Sequence, residues 1–233
     1  MVQLAKVHWW YRVRRQLVRY LLSTYPPASG GTALLEVGCG SGDTLKMLSS
    51  TYSVRGIDAS SESVALTQAQ GVNAAQADAT SIPAQDATSD VVIALDVLEH
   101  VQNPEVALAE IYRVLKPGGT LVVFVPAYMF LWSVTDELSH HYRRYTRREL
   151  VASVSATGFE VRRASYFNTL LFPLIAGTRV VVRLLGINMG SEMGTGTGLI
   201  NAMLYYIFHT EVPLLHIVNF PFGVSIFLVA TKH

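Results

Sequence analysis

Apolar residues along this chain follow three patterns. ALLEV at 33–37, DVVIALD at 90–96 and TLVVFVP at 120–126 are almost unbroken apolar runs of strand length, as expected of strands covered on both faces in a parallel sheet. SVRGID at 53–58, a short VNAAQA at 72–77 and FEVRRASYF at 159–167 add three more strands. GVSIFLVATK at 223–232 reads as a seventh, a final antiparallel edge strand. Between these runs the spacing turns helical, over 43–51, over 60–70, from Asn103-Pro104 to the Lys116-Pro117-Gly118-Gly119 turn, and over 146–157 with Gly158 beyond its end. Alternating strands and helices predict an α/β fold, a doubly wound seven-stranded sheet that is mostly parallel with an antiparallel last strand.

Two segments stand outside that alternation. Residues 7–25, VHWWYRVRRQLVRYLLSTY, have apolar positions at helical spacing and stop at Pro26-Pro27, which predicts an N-terminal helix. That helix is either a lid on the domain or an aromatic and basic face turned to an acceptor or a membrane surface. Residues 167–222 form a long connection in which Arg179, Arg183, Glu192 and Glu211 are the only charged side chains. It reads as an apolar helical insert between strands six and seven, with segments at about 169–186 and 199–219 hinged by GSEMGTGTG. Pro173, Arg179 and Arg183 interrupt the first segment as a membrane span, and Glu211, Pro213 and Pro221 the second. A two-pass membrane hairpin, a membrane-touching or lipid-binding element, a homodimer interface and a substrate cap are the readings that stay open. The chain is thus expected to be one domain, with an N-terminal helix at 1–28, a core at 30–166 and 223–233, and an insert at 167–222.

Composition narrows the picture. Half of the 233 residues are hydrophobic and the mean hydropathy is +0.32, which is apolar for a water-soluble enzyme. The net charge of +1 makes no global case for nucleic acid, although arginines cluster at 12–19 and 143–148. A single cysteine, Cys39, excludes an internal disulfide and a multi-cysteine metal site, and no zinc-type spacing gives a metal signal. No secretory pattern opens the chain, so the default expectation is a cytoplasmic protein, with a peripheral position at the inner membrane face as the variant the insert suggests.

The chemistry starts at the first strand, where LLEVGCGSG carries Glu36 and then Gly38, Gly40 and Gly42. Glycines suit a backbone that turns sharply from strand into helix while approaching a ligand. Asp43 occupies the position where a dinucleotide fingerprint needs a small residue, and no Lys-Ser/Thr pair follows Gly42, so NAD and ATP are disfavoured. The acidic Glu36 and Asp43 favour a nucleoside with a cationic tail, which S-adenosylmethionine is. Cys39 sits beside the ligand or packs inertly. Asp58 ends the second strand at the separation from Gly38 suited to ribose hydroxyls, with helix capping as its alternative.

LEVGCGSG, GIDAS, ADAT, DVVIALDVLEHV and VLKPGGTLVVFVP, in this order and spacing, resemble the successive motifs of class I S-adenosylmethionine-dependent methyltransferases over about residues 30–166, and the likeness resumes at the C-terminus. The resemblance implies a Rossmann-like fold and S-adenosylmethionine as cofactor, with Asp78 and Ala79 reading the adenine. Ala59, Leu95 and Asp96 complete the expected cofactor set of Glu36, Gly38, Cys39, Gly40, Gly42, Asp58, Asp78 and Ala79. The WWY-x-x-RR opening is similar to methyltransferases whose acceptors are often lipid-linked or glycosylated.

Methyl transfer asks a protein to align and desolvate the acceptor and sometimes to remove a proton. The segment 126–148, following the fifth strand, offers Asp136, His140, His141, Tyr142 and Tyr145. His141 or His100 is the expected base for a hydroxyl acceptor, with Asp136 orienting it. The bland alternative is that these groups only hold the loop together. O-methylation of a hydrophobic or carrier-linked small molecule is the favoured activity. A non-catalytic module that keeps the nucleoside site as a sensor or assembly partner competes with it, and a dehydrogenase is argued against by Asp43.

Overall fold

A computed structural model describes residues 8–185 and 198–233. Its strands are β1 Ala33–Val37, β2 Ser53–Asp58, β3 Asn73–Gln76, β4 Ser89–Leu95, β5 Leu115–Pro126, β6 Phe159–Phe167 and β7 Ser225–Lys232. The helices are α1 Trp9–Thr24, α2 Asp43–Leu48, α3 Ser61–Ala69, α4 Pro104–Val114, α5 Val134–Leu138, α6 Arg147–Ala156, α7 Phe172–Leu184, α8 Leu199–His209 and α9 Glu211–Leu215, with 3₁₀ turns at Leu98–His100 and Met129–Leu131.

The strands form one sheet in the order β3-β2-β1-β4-β5-β7-β6. β1 to β5 pair in parallel, and β7 runs antiparallel to both β5 and β6. β4 is buried at every position, as an apolar run in the middle of a doubly covered sheet should be. The edge position expected for the last strand is corrected: β7 is inserted between β5 and β6, and β6 forms the edge. Its sequence agrees with an interior place, since six of its eight residues are buried.

Helices cover both faces. One face packs against Ala107, Leu108 and Ile111 of α4 and Leu150 and Val154 of α6. The other packs against Leu45 of α2, Val64 of α3, and Val13, Leu17 and Leu21 of α1. Phe208, Val212 and Leu215, from the connection between β6 and β7, join that second cluster. α1 ends where Tyr25 meets Pro26, since a residue before proline is steered away from helical torsions. Strand β5 begins five residues before the expected 120, because Leu115 already pairs with Ser89 and the pairing then shifts to Val91 with Thr120. The turn between is pinned by buried Asp90, which accepts from Ala33 N–H at 3.0 Å, Ser29 Oγ at 2.7 Å and Lys116 Nζ at 3.0 Å.

In the 167–222 connection, the expected second helix breaks at Thr210 into α8 and α9. Pro213 has no N–H to give to the His209 carbonyl, so a continuous helix cannot form there. Glu211, fully buried, turns back to accept the N–H groups of Thr169 at 3.0 Å and Leu170 at 2.6 Å. The acid that seemed only to interrupt an apolar run therefore fastens the start of the connection to its later half. Trp10 of α1 meets both Phe167 and Phe208, at 5.6 and 5.5 Å, and Gln16 bonds His209 at 2.8 Å. α1 and α8 thus make one cap layer. The GSEMGTGTG hinge lies, apart from Gly198, outside the described residues. No helix among the described residues is long and apolar enough to cross a membrane.

Candidate functional site

The cradle forms where β1 ends. Gly38, Gly40 and Gly42 have φ of 71°, 53° and 78°, the left-handed region that glycine tolerates best. At Gly38 a Cβ would lie 2.5 Å from Val97 Cγ2, and at Gly42 2.8 Å from Thr67 Oγ1, so these two are required by packing as well. Gly40 differs, because a Cβ there would meet nothing within 4 Å. Open space beside a left-handed glycine between two packed ones is a cradle that a ligand can fill. Cys39 points away from it, packed under Gly56 and 3.6 Å from Thr67 Oγ1, and burial pushes its thiol up to about 11. Its side chain is packing, and its N–H is spent on the Ile57 carbonyl.

Glu36 lies beneath the cradle, fully enclosed, with Oε2 lacking any hydrogen-bond partner. Burial raises its pKa to about 8, against the Arg14 charge and with help from Asp58 and Asp43. A buried carboxyl group with an unused oxygen fits an ammonium, the charge that S-adenosylmethionine would bring. Asp58 at the tip of β2 accepts Gly40 N–H and Ser60 N–H, both at 2.9 Å. Ser60 itself caps α3, with Oγ on Ser63 N–H at 3.2 Å. Asp58 is therefore tied to the cradle rather than being the cap, and a carboxylate with two bonds keeps lone pairs for ribose hydroxyls. Ala59 lies beside it and accepts from Gln76 Nε2 at 2.9 Å. Asp78 is exposed and holds Thr80 N–H at 2.8 Å and Thr80 Oγ1 at 2.6 Å, and Ala79 packs at the core margin. Asp43 is taken up within the loop by Ser41 and Gln70. Leu95 is buried in the core, and Asp96 after it has φ of 57°.

Asp96 carries a partner that the sequence reading misplaced: Arg14 of α1 forms an ion pair with it. Arg14 comes from the basic face that the sequence offers to an acceptor or a membrane surface. Instead it sits on the inner side of α1, and Arg12 lies over the Tyr205 ring at 4.0 Å. Arg179 likewise donates to the Leu131 carbonyl. The side chain of Arg183 lies outside the described residues. A place beside the buried stripe of Val13, Leu17 and Leu21 is what separates Arg14 from the exposed Arg12 and Arg19.

The second half of the site is built by the 3₁₀ turn after β4 and the loop after β5. A Tyr142 N–H to Glu99 carbonyl bond of 2.8 Å joins the two, and the His100 and His141 rings meet edge to face at 4.5 Å. His141 Nδ1 lies 2.8 Å from Asp136 Oδ1. Asp136 also accepts Arg144 through Nε at 2.8 Å and Nη2 at 3.0 Å, and Ser133 N–H at 2.8 Å. Burial opposes ionisation of Asp136, but the bonds from His141 and Arg144, the Arg144 charge and the Ser133 N–H outweigh it, holding the carboxyl well below the usual range. Asp136 is thus saturated and acts on His141 rather than on a ligand. Arg144, read in the sequence as one of a surface basic cluster, is buried. Tyr145 is also buried, with its hydroxyl on the Leu98 carbonyl at 3.3 Å. Tyr128 and His140 have φ of 56° and 54°, so strained backbone gathers around this loop.

Residues 35–123 match the family model described as "Methyltransferase domain". A probable S-adenosylmethionine-dependent methyltransferase of Mycolicibacterium smegmatis is 29% identical over 163 residues, 68% of this chain and 62% of that protein. Norajmaline N-methyltransferase of Rauvolfia serpentina is 32% identical over 124 residues, 48% of this chain and 42% of that protein. The chain spans about half the length of the curated relatives it matches. Among solved structures, a putative methyltransferase in complex with the Haloferax volcanii Trm112 methyltransferase activator superposes with a TM-score of 0.63 at 21% identity, covering 99% of this chain and 92% of that one. Residues 35–123 thus carry a methyltransferase domain, and the motifs and strand order around them are similar to those of class I S-adenosylmethionine-dependent methyltransferases.

Proposed function

We propose that this chain transfers the methyl group of S-adenosylmethionine to a hydroxyl oxygen of a hydrophobic or carrier-linked small molecule, at the level of a lipid surface. Bound in the cradle, the cofactor supplies a methyl group already activated on a sulfonium. Glu36 would hold its ammonium, Asp58 its ribose, and Asp78 with Ala79 its adenine edge. The acceptor oxygen would approach between the end of β4 and the loop after β5, where His100 and His141 form the polar end. Ionised Asp136 keeps the proton on His141 Nδ1, which leaves Nε2 as an acceptor for the hydroxyl proton. Asp136 is a positioning residue here.

The observation that carries this reading is the His141–Asp136–Arg144 chain: a module that only binds the nucleoside has no use for an oriented imidazole beside its ligand. The apolar acceptor is supported by exposed large side chains on the β6–β7 connection, among them Leu174, Leu199, Tyr206 and Ile217. Incubating the protein with deuteromethyl-labelled S-adenosylmethionine and a lipid extract, then searching by mass spectrometry for labelled products, tests it. A labelled apolar hydroxyl compound, lost in His141→Ala with cofactor affinity kept, is expected. Cofactor binding without any labelled product would favour the sensor reading.

A further inference from the structure

The polar end of this site contains a group that methyl transfer by an imidazole base leaves unused. Glu99 is fully buried, and neither of its carboxylate oxygens has a hydrogen-bond partner. One ligand atom each from Glu99, His100 and His141 lies within 4.8 Å of the others. Donors at about 2.0–2.2 Å from a common ion lie about 3–3.5 Å apart, so small rotamer adjustments of two rings and a carboxylate close the set. His141 already has the outer support that metal-binding histidines use, an Nδ1 contact to Asp136 at 2.8 Å, which leaves Nε2 for a ligand bond. Asp136 is held in turn by Arg144.

We infer that Glu99, His100 and His141 bind a divalent first-row transition ion whose remaining coordination positions receive an oxygen donor of the acceptor. Two imidazoles and one carboxylate favour Zn²⁺, Fe²⁺ or Co²⁺ over Mg²⁺ and Ca²⁺, which prefer all-oxygen shells. Three protein ligands with open positions make a reactive site rather than a closed structural one. No spacing signal marks this set along the chain, because the ligands come from two loops that only the fold brings together. The inference rests on the methyl-transfer reading for the ion's task, and it makes His141 a ligand in the loaded protein rather than a base.

Metal binding can be read without turnover. Tag-free protein, stripped with chelator, is titrated with Zn²⁺ and quantified by elemental mass spectrometry, and with Co²⁺ followed by its visible absorption. About one equivalent should bind. Glu99→Gln and His141→Ala should weaken binding at least tenfold, and Asp136→Asn about 10–100-fold through the outer contact. Because Glu99 and Asp136 are buried and their variants can fail to fold, the deciding variant is His100→Ala, whose side chain is exposed. Parent protein that binds no Zn²⁺ above background, or His100→Ala that binds as tightly as the parent, overturns the site. Asp58→Ala should keep full Zn²⁺ binding while losing affinity for S-adenosylmethionine, so the two assignments fail separately.

Discussion

The two halves of the site are held together by different physics. Around the cradle, conformation is fixed by backbone sterics: left-handed glycines, a Cβ-sized clash behind two of them, and backbone N–H groups turned onto Asp58. At the acceptor end it is fixed by charge: Arg144, Asp136 and His141 in a buried chain, and Arg14 on Asp96. Sterics leave a signature in consecutive residues. Buried charge networks leave a weaker one, because a charged residue reads alike in sequence whether it ends buried or exposed, and they can be dismantled one side chain at a time.

The largest expected effect breaks the acceptor end. Asp136→Ala leaves buried Arg144 without its counter-charge, and breaking a pair of this kind costs about 3–5 kcal/mol. Asp58→Ala on the cradle side removes two backbone hydrogen bonds to a partly exposed carboxylate, about 1–2 kcal/mol. Chemical denaturation of both variants should show the first gap clearly exceeding the second. Equal losses would mean that the two halves are not held differently.

The same contrast decides how much the sequence revealed. β1, β4 and β5 could be placed from their apolar runs, because strands covered on both faces admit little else. The place of β7 could not, since an apolar strand suits an interior antiparallel position as well as an edge. Gly38, Gly40, Gly42 and Asp58 lie together at the ends of β1 and β2, and the Cys39 side chain takes the packing role, one of its two readings. His141 and Asp136 were legible as a pair because they share one short loop. Arg144 and Arg14 looked like members of surface basic clusters, and only the burial of their surroundings separates them from neighbours that are exposed, such as Arg148. Glu211, read as an obstacle in an apolar run, is a clasp whose partners lie about forty residues earlier.

A middle-sized effect sharpens the cradle side, through Glu36. Its carboxyl titrates at about 8 in the folded protein, above the ordinary carboxylate range it would show unfolded. A raised acid contributes stability that is fully present below the unfolded value and is lost as pH rises through the folded one. Ligand-free protein should therefore lose a few kcal/mol between about pH 4.5 and 8, and Glu36→Gln, neutral throughout, should flatten that fall. The ammonium of S-adenosylmethionine should drive the proton off, so calorimetry at pH 7 in buffers of different ionisation enthalpy should register close to one proton released on binding. The glutamine variant should release none and bind about tenfold to a hundredfold more weakly, the cost of a charge-assisted bond. A parent protein whose binding heat ignores the buffer would place the ammonium elsewhere.

The smallest effect on stability concerns the cap, where neither sterics nor charge accounts for the surface. Leu174 and Ile217 are 61% and 83% exposed, so replacing each with serine removes little buried area and should change folding stability by no more than about 0.5 kcal/mol. An apolar acceptor or a bilayer would bury these side chains only in the complex. Each is worth about 1.5–3 kcal/mol when fully covered, so the double variant should lose about tenfold or more in affinity for the surface it meets. The engaged arginines refine the expectation further. With Arg12 stacked on Tyr205, Arg14 paired to Asp96 and Arg179 on the Leu131 carbonyl, anionic headgroups find few free cations on this side. Co-sedimentation with vesicles should therefore depend weakly on salt and strongly on the leucine and isoleucine, the reverse of a basic patch. Strong salt dependence with no effect of the serines would return the membrane contact to the exposed basic residues. Parent protein that ignores vesicles while its serine variant loses only self-association would make the face a contact between two copies of the chain.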